Sequence, residues 1–137
     1  MPAPAHTDFD IALIEDSTVL RDLLSAMLAD IPNIRLVGAA ASEAEGLKLL
    51  QATRPRLVIV DLELREGTGL RVLAALQRQP DHFGTPQAVV FSNHAHSVVQ
   101  ARCRMLGARA FFDKSFQTDD LLAFIEDAAG CPATASH

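Results

Sequence analysis

Short, mostly apolar runs alternate along the chain with longer stretches in which apolar residues recur at helical spacing, five times over. Phe9 to Ile14 is the first run. Behind Asp16-Ser17, a pair with N-cap chemistry, Val19, Leu20, Leu23, Leu24, Met27 and Leu28 predict a helix to about Asp30. Pro32-Asn33 breaks the chain, and Ile34 to Ala40 reads as a second strand. Ser42 with Glu45 three residues on is a capping box, opening a helix with Ala44, Leu47, Leu49 and Leu50 on its apolar side. Arg54-Pro55 ends that helix and Leu57 to Val60 is the third strand. A loop with Gly67 and Gly69 leads into a helix through Leu70, Val72, Leu73 and Leu76. After the turn-rich connector Pro80 to Pro86 come a strand at Ala88 to Phe91 and a helix from Val98 to Leu106, with Gly107 as its C-cap. Ala110 to Phe112 is the fifth strand, and Asp119 to Ala129 the last helix, carrying Leu121, Leu122, Phe124 and Ile125.

Five β-α units in succession require a parallel sheet covered by helices on both faces. Right-handed crossovers leave few topologies, and the expected one is a flavodoxin-like (βα)5 three-layer sandwich with strand order 2-1-3-4-5. The expected division is an N-terminal tail over 1–8, one α/β domain over 9–130 and a C-terminal tail over 131–137.

That topology gives the polar residues after the strands their meaning. The first strand ends in Glu15-Asp16 and the third in Asp61, and the predicted order sets these strands side by side. The crevice beyond the carboxyl ends of the strands is where open α/β sheets bind ligands. Two unit charges about 4 Å apart repel by roughly 4 kcal/mol at an effective dielectric near 20, so three carboxylates at one point need a cation or raised pKa values. Ser92 after the fourth strand and Lys114 after the fifth converge on the same edge.

Composition removes several classes. With 49% apolar and 21% charged residues in 137, the chain has the make-up of one globular domain. A net charge of -5 and twelve scattered basic residues argue against direct DNA binding or affinity for an anionic membrane. No apolar stretch approaches the roughly 20 residues that span a bilayer, and the first residues lack the basic and apolar regions of a signal peptide. Cys103 and Cys131 have neither metal-ligand spacing nor a disulfide pattern, and a cytoplasmic location is expected. His94 and His96 stand two apart with no third ligand in sight and read as loop residues. Phe111 and Phe112 read as core, one ring to each sheet face, and Arg102, Arg104 and Arg109 as a solvated surface.

Glu15-Asp16, Asp61, Ser92 and Lys114, each after the right strand, with 31 residues from Asp61 to Ser92 and 22 from Ser92 to Lys114, resemble the receiver domains of bacterial two-component response regulators. The likeness runs from about Phe9 to Ala129. It implies that Asp61 is the acceptor of a phosphoryl group from a histidine kinase or a histidine phosphotransfer protein. It implies Mg²⁺ (or Mn²⁺) held by Glu15, Asp16, Asp61 and the backbone carbonyl of Glu63, with Lys114 and Ser92 on the phosphoryl oxygens. Ser92 and Phe111 would form the switch, and Glu63 and His94 would tune phosphoryl lifetime. The surface from Val98 to Ala129 would be the two-state output, signalling through an unidentified protein target or a phosphorelay rather than as an enzyme. A homodimer through the fourth-to-fifth-helix face or the first and fifth helices also accords with the resemblance. The Asp61-Leu62-Glu63-Leu64 stretch, with two nearby glycines, looks more like receivers of DNA-binding regulators than chemotaxis ones.

Some positions depart from the family pattern. Ser115 stands where a proline, usually in a cis peptide, often follows the lysine; before Ser a cis bond would cost roughly 2.5–4 kcal/mol. Asn93 replaces a small residue beside Ser92, and Phe111 lacks the hydroxyl of a tyrosine. Two rival readings follow. A pseudo-receiver would bind proteins without taking phosphate. A haloacid-dehalogenase-type enzyme would use an Asp nucleophile with a second Asp two residues on, where this chain has Glu63.

Overall fold

In the computed structural model, which describes residues 8–93 and 96–135, the five apolar runs form the parallel strands β1 (Phe9–Ile14), β2 (Ile34–Ala40), β3 (Leu57–Val60), β4 (Gln87–Ser92) and β5 (Ala110–Asp113). The sheet order is β2-β1-β3-β4-β5, as the alternation requires. Between and after them lie α1 (Thr18–Ala29), α2 (Glu43–Thr53), α3 (Gly69–Arg78), α4 (Ser97–Met105) and α5 (Thr118–Ala135), with a 3-10 turn at Pro80–Phe83. Strand alternation divides the core in two. Ile11, Leu13, Ile59 and Phe91 meet Leu24, Leu28, Leu121 and Ile125 from α1 and α5. Ile14, Val60 and Val90 meet Leu50, Val72, Leu73 and Cys103 from α2, α3 and α4. Each such fully buried aliphatic side chain contributes about 1.5–3 kcal/mol.

The caps form where the sequence puts them. Ser17 Oγ accepts from the Leu20 amide, Ser42 Oγ from Glu45 and Thr68 Oγ1 from Leu70, so three helices start on hydroxyl caps at the carboxyl edge of the sheet. Gly107, at φ +99°, follows α4 in the left-handed conformation expected of it.

Three expectations are corrected. Val19 and Leu23 lie 79% and 48% exposed, because the buried stripe of α1 is narrower than its apolar pattern and centres on Leu24 and Leu28. Ala44 is exposed, and α2 instead turns Gly46 toward the sheet, so close that a Cβ there would stand 2.7 Å from Ile14 Cδ1. The last helix does not stop at Ala129 but runs to Ala135, through Gly130 and Pro132, and nothing in its contacts explains the extension.

Candidate functional site

Strand register builds the site. Ile14 pairs with Val60, so Glu15 and Asp61 each stand one residue beyond a matched strand end, and the Asp61 amide donates to the Ile14 carbonyl at 2.9 Å. β4 runs on to Ser92, which pairs with Asp113, and the Lys114 amide donates to the Ser92 carbonyl at 3.1 Å. Glu15, Asp16, Asp61, Ser92 and Lys114 therefore meet at one edge, as the sequence predicts.

The charged groups are buried together. Glu15 is 1% and Asp61 4% exposed. Lys114 Nζ lies 2.8 Å from Glu15 Oε1 and 2.9 Å from Asp61 Oδ2. One carboxylate oxygen from each of Glu15, Asp16 and Asp61 falls within 4.8 Å of the others. Burial pushes the Glu15 carboxyl above its ordinary value, and the charge of Asp61 adds to this; the bonds from Lys114 and the Ser17 amide offset only part. For Lys114, burial pulls the pKa down, but the hydrogen bonds and charges of Glu15 and Asp61 outweigh it and the net shift is upward. The ammonium is held charged.

Around these groups the backbone fixes the remaining oxygens. The Ser17 amide donates to Glu15 Oε2 at 3.0 Å and the Glu63 amide to Asp61 Oδ1 at 3.3 Å. Because Ser17 caps α1, the Asp16 carboxylate is not taken up as that helix's cap. With all three carboxylates ionised against one ammonium, two net negative charges remain. Hard oxygen donors with that charge fit a small divalent cation such as Mg²⁺ or Mn²⁺.

Ser92 is fully buried, and its Oγ has no hydrogen-bond partner among the described residues. An orphaned buried hydroxyl costs about 1–3 kcal/mol, so its presence at this edge calls for a ligand. Phe111 and Phe112 do pack on opposite sheet faces. Glu63 is exposed and forms an antiparallel bridge with Thr68. Asn93 and His96 are exposed, as are Arg102, Arg104 and Arg109, while His94 lies outside the described residues.

Lys114 reaches the carboxylates with no cis peptide bond among the described residues. Its turn is pinned by side chains: Asp113 Oδ1 accepts from the Ser115 amide at 2.7 Å, and Gln117 Oε1 from the Asp113 amide at 2.9 Å. Four further residues support the site without having been singled out for it in the sequence. Arg21 Nη1 donates to the Glu15 carbonyl at 2.8 Å, tying α1 to the strand end. Thr68 and Glu43 hold the β3–α3 loop, the Thr68 amide donating to Glu43 Oε1 at 3.2 Å. An acid in a helix first turn was the one local signal for Glu43. Gly69 packs on the Asp61 carbonyl so closely that a Cβ there would collide with it.

Comparison with known proteins agrees with this architecture. The chain is 32% identical over 119 residues to the nitrate/nitrite response regulator protein NarL of Escherichia coli, covering 87% of this chain and 54% of that protein. It thus spans about half the length of that relative, and 29% of a protein-glutamate methylesterase of Syntrophus aciditrophicus to which it is 34% identical. The response regulator domain of Thermotoga maritima CheB superposes with a TM-score of 0.80 at 17% identity, covering 90% of this chain and 97% of that one. The Mn²⁺-bound form of response regulator Rcp1 does so with a TM-score of 0.73 at 22% identity, covering 88% and 91%. The sequence profile of the response regulator receiver domain matches residues 11–126, which take in all five strand-end residues of the site, and the chain belongs to that family.

Proposed function

We propose that the protein accepts a phosphoryl group on Asp61 from the phosphohistidine of a sensor histidine kinase or a histidine phosphotransfer protein, in a reaction dependent on Mg²⁺ or Mn²⁺. The observation that carries this is the Asp61 carboxylate itself, buried at the end of the central strand against the Lys114 ammonium and beside two further carboxylates, with the Ser92 hydroxyl, unpartnered among the described residues, at the same sheet edge. An Asp61 oxygen attacks phosphorus as the phosphorus–nitrogen bond breaks, and its electron pair returns to the imidazole. A carboxylate is a weak nucleophile, but a loose phosphoryl-transfer transition state asks mainly for alignment and charge neutralisation. Lys114 moves from the Asp61 carboxylate to a phosphoryl oxygen, and the Ser92 hydroxyl donates to another. Glu15, Asp16, Asp61 and the Glu63 carbonyl would hold the cation, which when bound neutralises the phosphoryl charge.

Ser92 turning toward the phosphoryl group would let Phe111 pack inward and reshape the face from α4 to α5, the two-state element that a protein target reads. Glu63 and His94 would then set how readily water reaches the phosphoryl group. A homodimer through that face, or through α1 and α5, would be one form of the output, and a cytoplasmic location accompanies the reading. Among the described residues no helix is long and apolar enough to cross a membrane.

The test is intact-mass analysis after incubation with Mg²⁺ and a small acyl phosphate, wild type beside Asp61→Asn, followed by trials with phosphorylated histidine kinases. One added phosphoryl group on the wild type alone is the expected result. No uptake from either donor class, with Mg²⁺ bound, would overturn the reading in favour of a phosphorylation-independent adaptor.

A further inference from the structure

We propose that Glu43, the first residue of α2, is a positioning residue for the acceptor site, clamping the β3–α3 loop against Asp61. The inference rests on the acceptor reading above. Glu43 grips the loop twice, on either side of Gly67: its amide donates to the Glu66 carbonyl at 3.0 Å, and its Oε1 accepts from the Thr68 amide at 3.2 Å. Gly67, at φ +85°, settles directly onto it, so that a Cβ there would collide with both Glu43 Cβ and Oε1. The left-handed backbone and the absence of a side chain are both needed for that approach.

From Thr68 the restraint passes to the site through short links. Thr68 Oγ1 donates to the Leu62 carbonyl at 3.1 Å, and the Gly69 amide donates to the same carbonyl at 3.0 Å. Thr68 also forms the antiparallel bridge with Glu63. Glu63 in turn donates its amide to Asp61 Oδ1, and in the acceptor reading its carbonyl would be the backbone oxygen offered to the cation. Five residues of loop between Leu62 and Thr68 thus have their far end tied to a different helix. Without the Glu43 carboxylate, the loop keeps its own hairpin bonds and the main-chain bond from the Glu43 amide to the Glu66 carbonyl, but the Thr68 amide loses its partner on α2 and the Glu63 carbonyl loses its fixed place. Outer groups that orient metal ligands commonly matter by roughly ten- to a hundredfold in metal affinity.

A merely structural role is the alternative, since an acid in a first turn also favours the helix dipole. Length and charge separate the two. Glu43→Gln keeps the reach and an acceptor oxygen but loses the charge; Glu43→Asp keeps the charge but is one methylene too short for Thr68. The full chain of each variant, with Glu43→Ala, is assayed for Mg²⁺ affinity by calorimetry, for hydrogen exchange of the Thr68 amide in metal-free protein, and for phosphoryl uptake. The clamp requires that Ala and Asp weaken Mg²⁺ binding about tenfold and free the Thr68 amide to exchange, with slower uptake, while Gln restores both. Mg²⁺ affinities all within twofold of wild type, or effects that follow charge so that Asp is normal and Gln impaired, would overturn it. Wild type that neither binds Mg²⁺ nor takes phosphate sinks the acceptor reading instead, and Thr68 exchange still tests the clamp.

Discussion

Replacing Lys114 by Met tests the electrostatics of the site without reference to any reaction. Met keeps most of the side-chain volume and removes the ammonium that lies 2.8 Å from Glu15 and 2.9 Å from Asp61. Removing one partner of a buried ion pair costs about 3–5 kcal/mol because a desolvated charge is left behind. The lysine side chain is 16% exposed, which argues for the lower end, near 3 kcal/mol. The cost depends on pH. Glu15 is already raised above its ordinary 4.5 by burial, even with Lys114 present, and losing that bond raises it further. A raised folded pKa contributes stability that is full below the unfolded value and lost as pH rises through the folded one. The Glu15 share of the variant's deficit therefore starts small near pH 4.5 and grows to its full size once Glu15 is ionised in the variant. The wild-type ammonium, itself raised, persists throughout that window, its own contribution being lost only above 10.5.

For a domain of this size 3 kcal/mol corresponds to a Tm lower by about 10 °C. Thermal and urea unfolding followed by circular dichroism, suited to a chain with no Trp or Tyr, would be run in chelator at about pH 5 and about pH 8. Adding Mg²⁺ at pH 8 should recover part of the loss, about 2.7 kcal/mol at a hundred times its Kd, if the cation takes over the neutralising role. Equal deficits at the two pH values, or a deficit below about 1 kcal/mol at the higher, would refute the picture of two carboxylates held by one ammonium.

Three further substitutions probe the neighbours. Ser92→Ala removes a buried hydroxyl with no partner among the described residues, so the fold should be unchanged or more stable by up to about 3 kcal/mol while phosphoryl uptake slows at least roughly tenfold; a clear loss in urea unfolding would show instead that the hydroxyl is already satisfied. Gly69→Ala places a Cβ against the Asp61 carbonyl, which cannot rotate away, and should cost about 3 kcal/mol, whereas Gly46→Ala meets the side-chain end of Ile14 and should cost less; the reverse order of urea midpoints would contradict the assignment.

The strand order and the acid cluster were legible because both follow from one-dimensional signals. Buried parallel strands are continuous apolar runs, so the first polar residue after each marks the sheet edge, and Glu15, Asp61 and Lys114 are those residues or their near neighbours. What was not legible depends on how far a neighbour stands. Helical spacing names an apolar stripe but not its width, hence the exposure of Val19 and Leu23. Gly46 has no apolar signature and is buried because α2 crosses Ile14 closely. Glu43 and Arg21 look like solvated helix residues until the chain ends they hold are brought beside them. The turn that sets Lys114 without a cis peptide depends on Gln117 reaching back to Asp113, one helical turn away.

The residue types at the site follow from strand distances. Strands stand about 4.8 Å apart, so a group on β4 is one spacing from Asp61 and a group on β5 is two, close to 10 Å. Only a long side chain crosses the second distance, and Lys114 does so on its four-carbon stem over the end of β4, where its amide is fixed by the Ser92 carbonyl. A long residue at 92 would occupy the path that the lysine takes, whereas serine brings a hydroxyl to the edge and leaves the space open. Arginine at 114 would carry the charge but spread it over a planar fork too broad to sit between two carboxylates that a point charge bridges at 2.8 and 2.9 Å. The same sheet geometry that sets β1 beside β3, and so creates the repulsion, places the cation that relieves it two strands away.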